Sequence, residues 1–198
     1  MGVNFNDVVM NHRLLILLGL LLVGTLPLAG ADAKTEFTDL QGVVQRPLDT
    51  AARTATVLVF VWQTCPVANA YAPEIERIYQ DFKQQGVAFY LVQVDPGLKL
   101  EKARQHVKDY GYTMPVLHDA KGVLSQHTGA TMTPEAVVLL PDGDKIYNGR
   151  IDDRHAALGK RRPKATVHDL RDTLEAILAG KKLKPRSTEV IGCYLPEK

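Results

Sequence analysis

The feature that most restricts what this chain can fold into is a change of period across residues 56–66. The run TVLVFVW is continuously apolar, as expected of a strand buried on both faces of a sheet. Directly after QTCP the apolar positions become Tyr71, Ile75, Ile78, Tyr79 and Phe82, the spacing of a helix with one face turned inward, and Gly86 is placed to end it. A strand that needs cover on both faces and feeds straight into an amphipathic helix begins an alternating α/β chain. The pattern continues: VAFYLVQVD reads as a second buried strand, and Leu100, Ala103, Val107 and Tyr110 form a helical stripe closed by Gly111. MPVLHD and EAVVLL read as further strands, and PDGDKIYNGRI as a hairpin turn with a returning strand. Thr166 is placed to cap a last helix through Leu170, Leu174, Ile177 and Leu178, stopped at Gly180. This order predicts an α/β three-layer sandwich, a central mixed sheet with helices on both faces.

Ahead of that domain, Arg13 is followed by LLILLGLLLVGTLPLAGADA, an apolar run ending in small residues at alternate positions. It reads as an export signal over residues 1–31, with Met10 the more natural start and Ala29 and Ala31 fitting a cut before Asp32. A cut before Lys34 fits nearly as well. A retained anchor is the competing reading, but Gly24, Pro27 and Gly30 interrupt the run short of the ~20 apolar residues a span needs. The expected location is therefore periplasmic or secreted, with the membrane involved only through the signal. One domain is expected over residues 35–182, followed by a tail over 183–198 that has no period of its own and carries Cys193. A net charge of +2 implies no polyanionic partner, and so no nucleic acid.

Outside the inner membrane, cysteines persist as a disulfide or cycle between states, so the chain's two cysteines become the central question. Cys65 stands at the junction of strand and helix. A thiol at a helix start meets the positive end of the dipole and unpaired backbone N–H groups, which favour thiolate, the nucleophilic form. Pro66, at the first helical position, forfeits no hydrogen bond there. By position alone, a reactive thiol and a small buried hydrophobe are both open for Cys65.

FVWQTCPVA, the amphipathic helix after it and MTPEAVVLLPDGDKIYNGRID together resemble the thioredoxin superfamily, and more closely the exported redoxin-domain proteins related to the peroxiredoxin-like AhpC/TSA group. The resemblance spans residues 37–180. It implies that Cys65 is the reactive cysteine and that Thr133-Pro134 is a cis peptide facing it, whose preceding backbone can pair with an extended substrate segment; X-Pro is the one bond where cis is inexpensive. Trp62, Pro66 and Pro134 would then shape the surface around the thiol, and Thr64, next to Cys65, reads either as a hydrogen-bond donor to a thiolate or as a plain turn residue at the strand end. Two departures bear on the chemistry. Ala68 stands where a Cys-x-x-Cys protein has its second cysteine, and Trp62 and Leu58 stand where a typical peroxiredoxin has the Thr or Ser and the Pro of its peroxide-positioning stretch. From the same resemblance the tail is expected to return to the site with Cys193 as the resolving cysteine. A permanent staple, and a Cys193 that is free or pairs between molecules, remain alternatives.

Arg150 or Arg154 beside the thiol would stabilise a thiolate, and Lys160, Arg161, Arg162 and Lys164 read as a solvated loop or as an attraction for an acidic partner. The six histidines make no clustered metal signature, with His106, His127 and His168 expected at the surface or at helix caps. No cofactor and no metal ligand set is legible. The expected activity is thiol-disulfide exchange through Cys65, the partners being protein thiols or disulfides, or a peroxide, with an external thiol reductant. The alternatives are a one-cysteine peroxidase and a non-catalytic module that holds a peptide or copper.

Overall fold

The computed structural model describes residues 32–196; the expected export signal lies outside them. In chain order the elements are β1 (Phe37–Thr38), β2 (Val44–Gln45), β3 (Ala55–Val61), α1 (Pro66–Phe82), β4 (Val87–Gln93), α2 (Leu100–Tyr110), β5 (Val116–His118), α3 (Val123–Thr128), β6 (Met132–Thr133) and β7 (Glu135–Leu139). There follow β8 (Lys145–Gly149), β9 (His155–Ala157), β10 (Lys160–Arg161), α4 (Asp169–Leu178), β11 (Arg186–Ser187) and β12 (Cys193–Tyr194).

Six strands form the central sheet in the order β11-β8-β7-β3-β4-β5. β3 runs parallel to β4, and β4 to β5, whereas β7 is antiparallel to both β3 and β8. The sheet is mixed for the reason the hairpin at 141–149 suggests: β7 turns back into β8, while the helical crossovers keep β3, β4 and β5 parallel. Every residue of β3 is buried. Its side chains alternate between two apolar layers: Val57, Val59 and Val61 pack with Ile75, Ile78, Leu170 and Leu174 of α1 and α4, and Leu58 and Phe60 pack with Leu48, Leu117 and Leu124 on the other face. This is the three-layer α/β sandwich expected from the sequence.

Two boundaries and the burial of one residue differ from expectation. α1 ends at Lys83, whose N–H returns to Tyr79 O, and Gly86 instead makes the left-handed turn into β4 at φ +76. Thr166 does not cap α4, whose first flanking residue is His168; the Thr166 hydroxyl and N–H both donate to the carboxylate of Asp153. His106 is buried rather than at the surface, held between Gln93 and Asn69. The tail is built into the fold at two places: β11 extends the central sheet in parallel with β8, and β12 pairs antiparallel with β6.

Candidate redox site

Cys65 occupies the N-cap of α1, with φ −77 and ψ 112. Its own N–H donates to Trp62 O at 2.8 Å, closing the turn out of β3, and the Ala68 N–H points at Sγ from 3.5 Å. Sulfur therefore takes the place of the usual capping oxygen, and the first turn holds no acidic residue to offset the helix dipole. Across the site the Thr133-Pro134 peptide is cis, and the Cys65 thiol donates to Thr133 O at 3.3 Å.

The tail completes the site. Cys193 lies opposite Thr133 and Tyr194 opposite Met132 in the short β6–β12 ladder, the Thr133 hydroxyl donates to Cys193 O at 3.4 Å, and the Leu195 N–H donates to Thr131 O at 2.9 Å. A side chain at Gly192 would not fit, because its Cβ would stand 1.9 Å from Thr133 O. Absence of a side chain is what lets the tail backbone lie against the cis-proline loop. Beyond the ladder, Leu195 packs against the apolar layer that holds Val94, and Leu195 and Pro196 line a small cavity with Pro96 and Asp119 in the loops following β4 and β5.

Cys65 is 1% exposed, and both cysteines are thiols, within hydrogen-bonding reach of one another. Burial pushes the Cys65 thiol up, but hydrogen bonds to the ionised sulfur from the Cys193 thiol, the Thr133 side chain and the Ala68 and Val67 N–H groups outweigh it, so its pKa falls below the ordinary thiol value. Burial, the hydrogen bond to Cys65 and the nearby Cys65 charge push Cys193 up to about 11. The arrangement biases one sulfur toward thiolate and keeps its neighbour a proton-bearing donor.

The remaining sequence candidates divide. Trp62 is half-buried and packs against both apolar layers, and Pro66 is exposed at the first position of α1. Thr64 is exposed in the turn, and among the described residues it makes no hydrogen bond to Cys65. The Arg150 guanidinium donates to Asp169 at 2.7 Å at the start of α4. Arg154 is held by Asp152 and Glu74. The lowered pKa of Cys65 arises from hydrogen-bond donors, with no arginine among its causes.

Two supports were not singled out in the sequence. The buried carboxylate of Glu135 accepts the N–H groups of Thr131 (2.8 Å) and Met132 (2.9 Å), fixing the strand that carries Thr133. An amide network braces the turn before Cys65: Gln93 Nε2 donates to His106 Nδ1, so His106 Nε2–H faces Asn69 Oδ1, and Asn69 Nδ2 donates to Gln63 O. A glutamate just after a Thr-Pro pair, and an asparagine four residues beyond the cysteine, were the available signals. Among the described residues no group of three or more histidine, cysteine or carboxylate side chains converges to hold a metal ion, and no helix is long and apolar enough to cross a membrane.

The model of the AhpC/TSA family matches residues 31–146. That is more than half of the sequence, and the chain belongs to this family. The matched segment holds Cys65 and Pro134 and ends before the tail. Among solved structures the chain is similar to a hypothetical protein from Sinorhizobium meliloti, at 26% identity and a TM-score of 0.71, over 84% of this chain and 92% of that one. An uncharacterized conserved protein from Geobacillus kaustophilus is similar at 24% identity and a TM-score of 0.71, over 85% of this chain and 92% of that one. A secreted Mycobacterium tuberculosis disulfide oxidoreductase homologous to E. coli DsbE shares the fold at 20% identity and a TM-score of 0.52, over 75% of this chain and 96% of that one. No curated protein matches the chain. The fold is that of the thioredoxin superfamily in its AhpC/TSA-like redoxin form, and it carries a single pair of facing cysteines.

Proposed function

We propose that this protein is an exported thiol peroxidase-type redoxin in which Cys65 is oxidised by a small oxidant and Cys193 resolves it. In the first step the Cys65 thiolate attacks the peroxide O–O bond, giving Cys65 sulfenic acid and releasing the alcohol or water. The Cys193 thiol then attacks the sulfenic sulfur, forming the Cys65–Cys193 disulfide and releasing water. An external thiol donor supplies the two electrons that reopen it. The observation that carries the reading is the β6–β12 ladder, which holds the Cys193 thiol against a Cys65 sulfur biased toward thiolate.

Membership of the AhpC/TSA family favours a peroxide over a protein disulfide as the oxidant. So does the 1% exposure of Cys65, a burial that a small oxidant overcomes more readily than a polypeptide. Thiol-disulfide exchange with proteins is the second reading, supported by the cis-Thr133-Pro134 loop facing the sulfur. Trp62 and Leu58, in place of the peroxide-positioning residues, keep it in play. Export rests on the sequence ahead of Asp32 and fits chemistry that needs an oxidising compartment.

The test is titration of the reduced protein with hydrogen peroxide, read by intact mass. One equivalent is expected to convert wild type to an intramolecular disulfide, 2 Da lighter by loss of two hydrogens, with roughly one turnover per protein before reductant is added. Cys193→Ser is expected to accumulate a dimedone-reactive sulfenic acid, and Cys65→Ser to consume no peroxide. Oxidation by a low-mass disulfide alone, with both thiols untouched by peroxide, would overturn the peroxidase reading in favour of the second.

A further inference from the structure

The basic run at residues 160–164, which takes no part in the redox site, ends beside a cleft. The cleft has a volume of about 530 Å³ and is lined by Glu74 and Arg77 of α1, Arg154 just before β9, Lys164 in the loop between β10 and α4, and His168 and Arg171 at the start of α4. Glu74 stands nine residues beyond Cys65 on one helix, or ~13 Å at roughly 1.5 Å per residue, so the cleft is separate from the sulfurs.

The cleft carries more positive charge than its own carboxylates offset. Glu74 is buried and is the one carboxylate among the lining residues, and three guanidinium groups gather on it: Arg77 from the same helix, Arg154 at 3.6 Å and Arg171 at 3.8 Å. One guanidinium is enough to neutralise a buried carboxylate; three leave charge over. Two further carboxylates touch this set, Asp152 at 3.4 Å from Arg154 and Asp81 at 2.8 Å from Arg171, but the Asp81 side chain is 49% exposed, where an ion pair offsets little. Lys164 makes no ion pair among the described residues. Four cations therefore meet three carboxylates, one of them half in solvent, before His168 is counted. Hydrogen-bond donors are in surplus too, since each guanidinium presents roughly five N–H groups and a carboxylate about four lone-pair positions. Arg154 Nε is buried with no hydrogen-bond partner among the described residues. The Arg154 guanidinium lies over the Tyr71 ring, 5.7 Å from its centroid, and the Arg154 N–H donates to Asp152 at 2.8 Å. A cation fixed in advance in this way loses little freedom when an anion arrives.

We propose that this cleft binds the phosphate group of a small molecule, with Arg154, Lys164 and Arg171 supplying the charge. These cations come from the loop before β9, the loop after β10 and α4, and so converge from several directions. A tetrahedral oxyanion presents oxygens on all sides and suits that arrangement; a planar carboxylate is satisfied by one guanidinium fork. No side chain caps α4, so the positive end of its dipole adds to the attraction, and Asp169 and Asp172 in its first turn offset part of that gain. The volume lies within the range of small-molecule sites, about 300–1,000 Å³, and exceeds what a lone phosphate fills, which leaves space for an attached organic group. A soluble phosphate ester and the headgroup of an anionic lipid offer the same chemistry, and the two sources are separable by experiment.

The purified protein is titrated calorimetrically with pyrophosphate and with glycerol 3-phosphate in chloride buffer, and in parallel is sedimented with phosphatidylglycerol vesicles against phosphatidylcholine vesicles. Saturable binding to one site per chain is expected. Lys164→Gln and Arg154→Gln are each expected to weaken it by about tenfold or more, the scale of losing one hydrogen bond to a charged group. Lys121→Gln, exposed and outside the cleft, is expected to weaken it by less than about twofold, because salt screens a distant charge. Binding of the soluble probes without the vesicles assigns a soluble phosphate ester, and binding of phosphatidylglycerol vesicles without the soluble probes assigns a lipid headgroup. No binding of any probe, binding that Lys164→Gln and Arg154→Gln leave unchanged, or a loss that Lys121→Gln matches would overturn the inference. Lys164 is exposed and unpaired, so its variant keeps the test decisive whatever becomes of the Arg154 variant. None of these readouts involves a cysteine, and their outcome is independent of the peroxide titration.

Discussion

At the scale of single residues, the site works by a division of protonation. Cys65 is buried, which alone would keep it a thiol; hydrogen-bond donors reverse that, and Cys193 comes first among them. Removing that donor should raise the Cys65 pKa. In Cys193→Ala, the thiolate absorbance at 240 nm is expected to titrate at a higher pH than the first thiolate of wild type, because a hydrogen bond to the charged sulfur is lost. The sign is fixed by which form is bonded: Cys193 donates to the ionised sulfur, so its loss costs the thiolate and not the thiol. Wild type should also show a second, separate thiolate step near pH 11, belonging to Cys193. A single step, or one unmoved by the substitution, would mean that the thiols do not interact. The place of Cys65 was legible from the change of period at Pro66, because helix starts announce themselves locally. The support from Glu135 was not, because two backbone N–H groups folding back onto a side chain leave no periodic trace.

At the scale of elements, the two-residue ladder between β6 and β12 decides whether the sulfurs meet. Its weak point is Gly192. An alanine there would put a Cβ 1.9 Å from a backbone oxygen that cannot move aside, so the tail must lift. Gly192→Ala is expected to slow disulfide closure by tenfold or more and to open Cys65 to alkylation by bulky maleimides, with the thermal transition of the remaining core little changed. Closure at the wild-type rate would show that the tail needs no close approach. Long elements with a strong period, β3, α1, β4 and α2, could be read from the chain because each carries enough residues to reveal an inward face. The six residues of α3 and the two of β12 are too few to display one, and their stability comes from what they touch. The misplaced cap at Thr166 has the same origin: a hydroxyl near a helix start suits an N-cap, but Asp153 offered it a charged acceptor.

At the scale of the whole molecule, the fold follows from the alternation of strands and helices, because a strand buried on both faces demands two covering layers. What joins the ends of the chain does not. A bond from Cys65 to Cys193 would close a loop spanning most of the described residues, which in the chain-entropy model restrains the unfolded state by roughly 4–5 kcal/mol. The oxidised protein is therefore expected to melt higher than the reduced protein, by on the order of 10 °C for a domain of this size. Differential scanning calorimetry of both forms at one pH reads it directly; an oxidised form that melts lower would mean that closing the bond strains the native state more than it restrains the unfolded one.

The position of the tail also orders events in time. A chain made from its N-terminus presents Cys65 long before Cys193, and there is no other cysteine in the sequence with which it could pair wrongly. Until the last segment arrives the reactive sulfur has neither its cover nor its proton donor. A chain clipped between residues 187 and 192 would keep its sheet and its helices yet display a bare thiol, which makes integrity of the C-terminus something that a sulfur-reactive reagent can report.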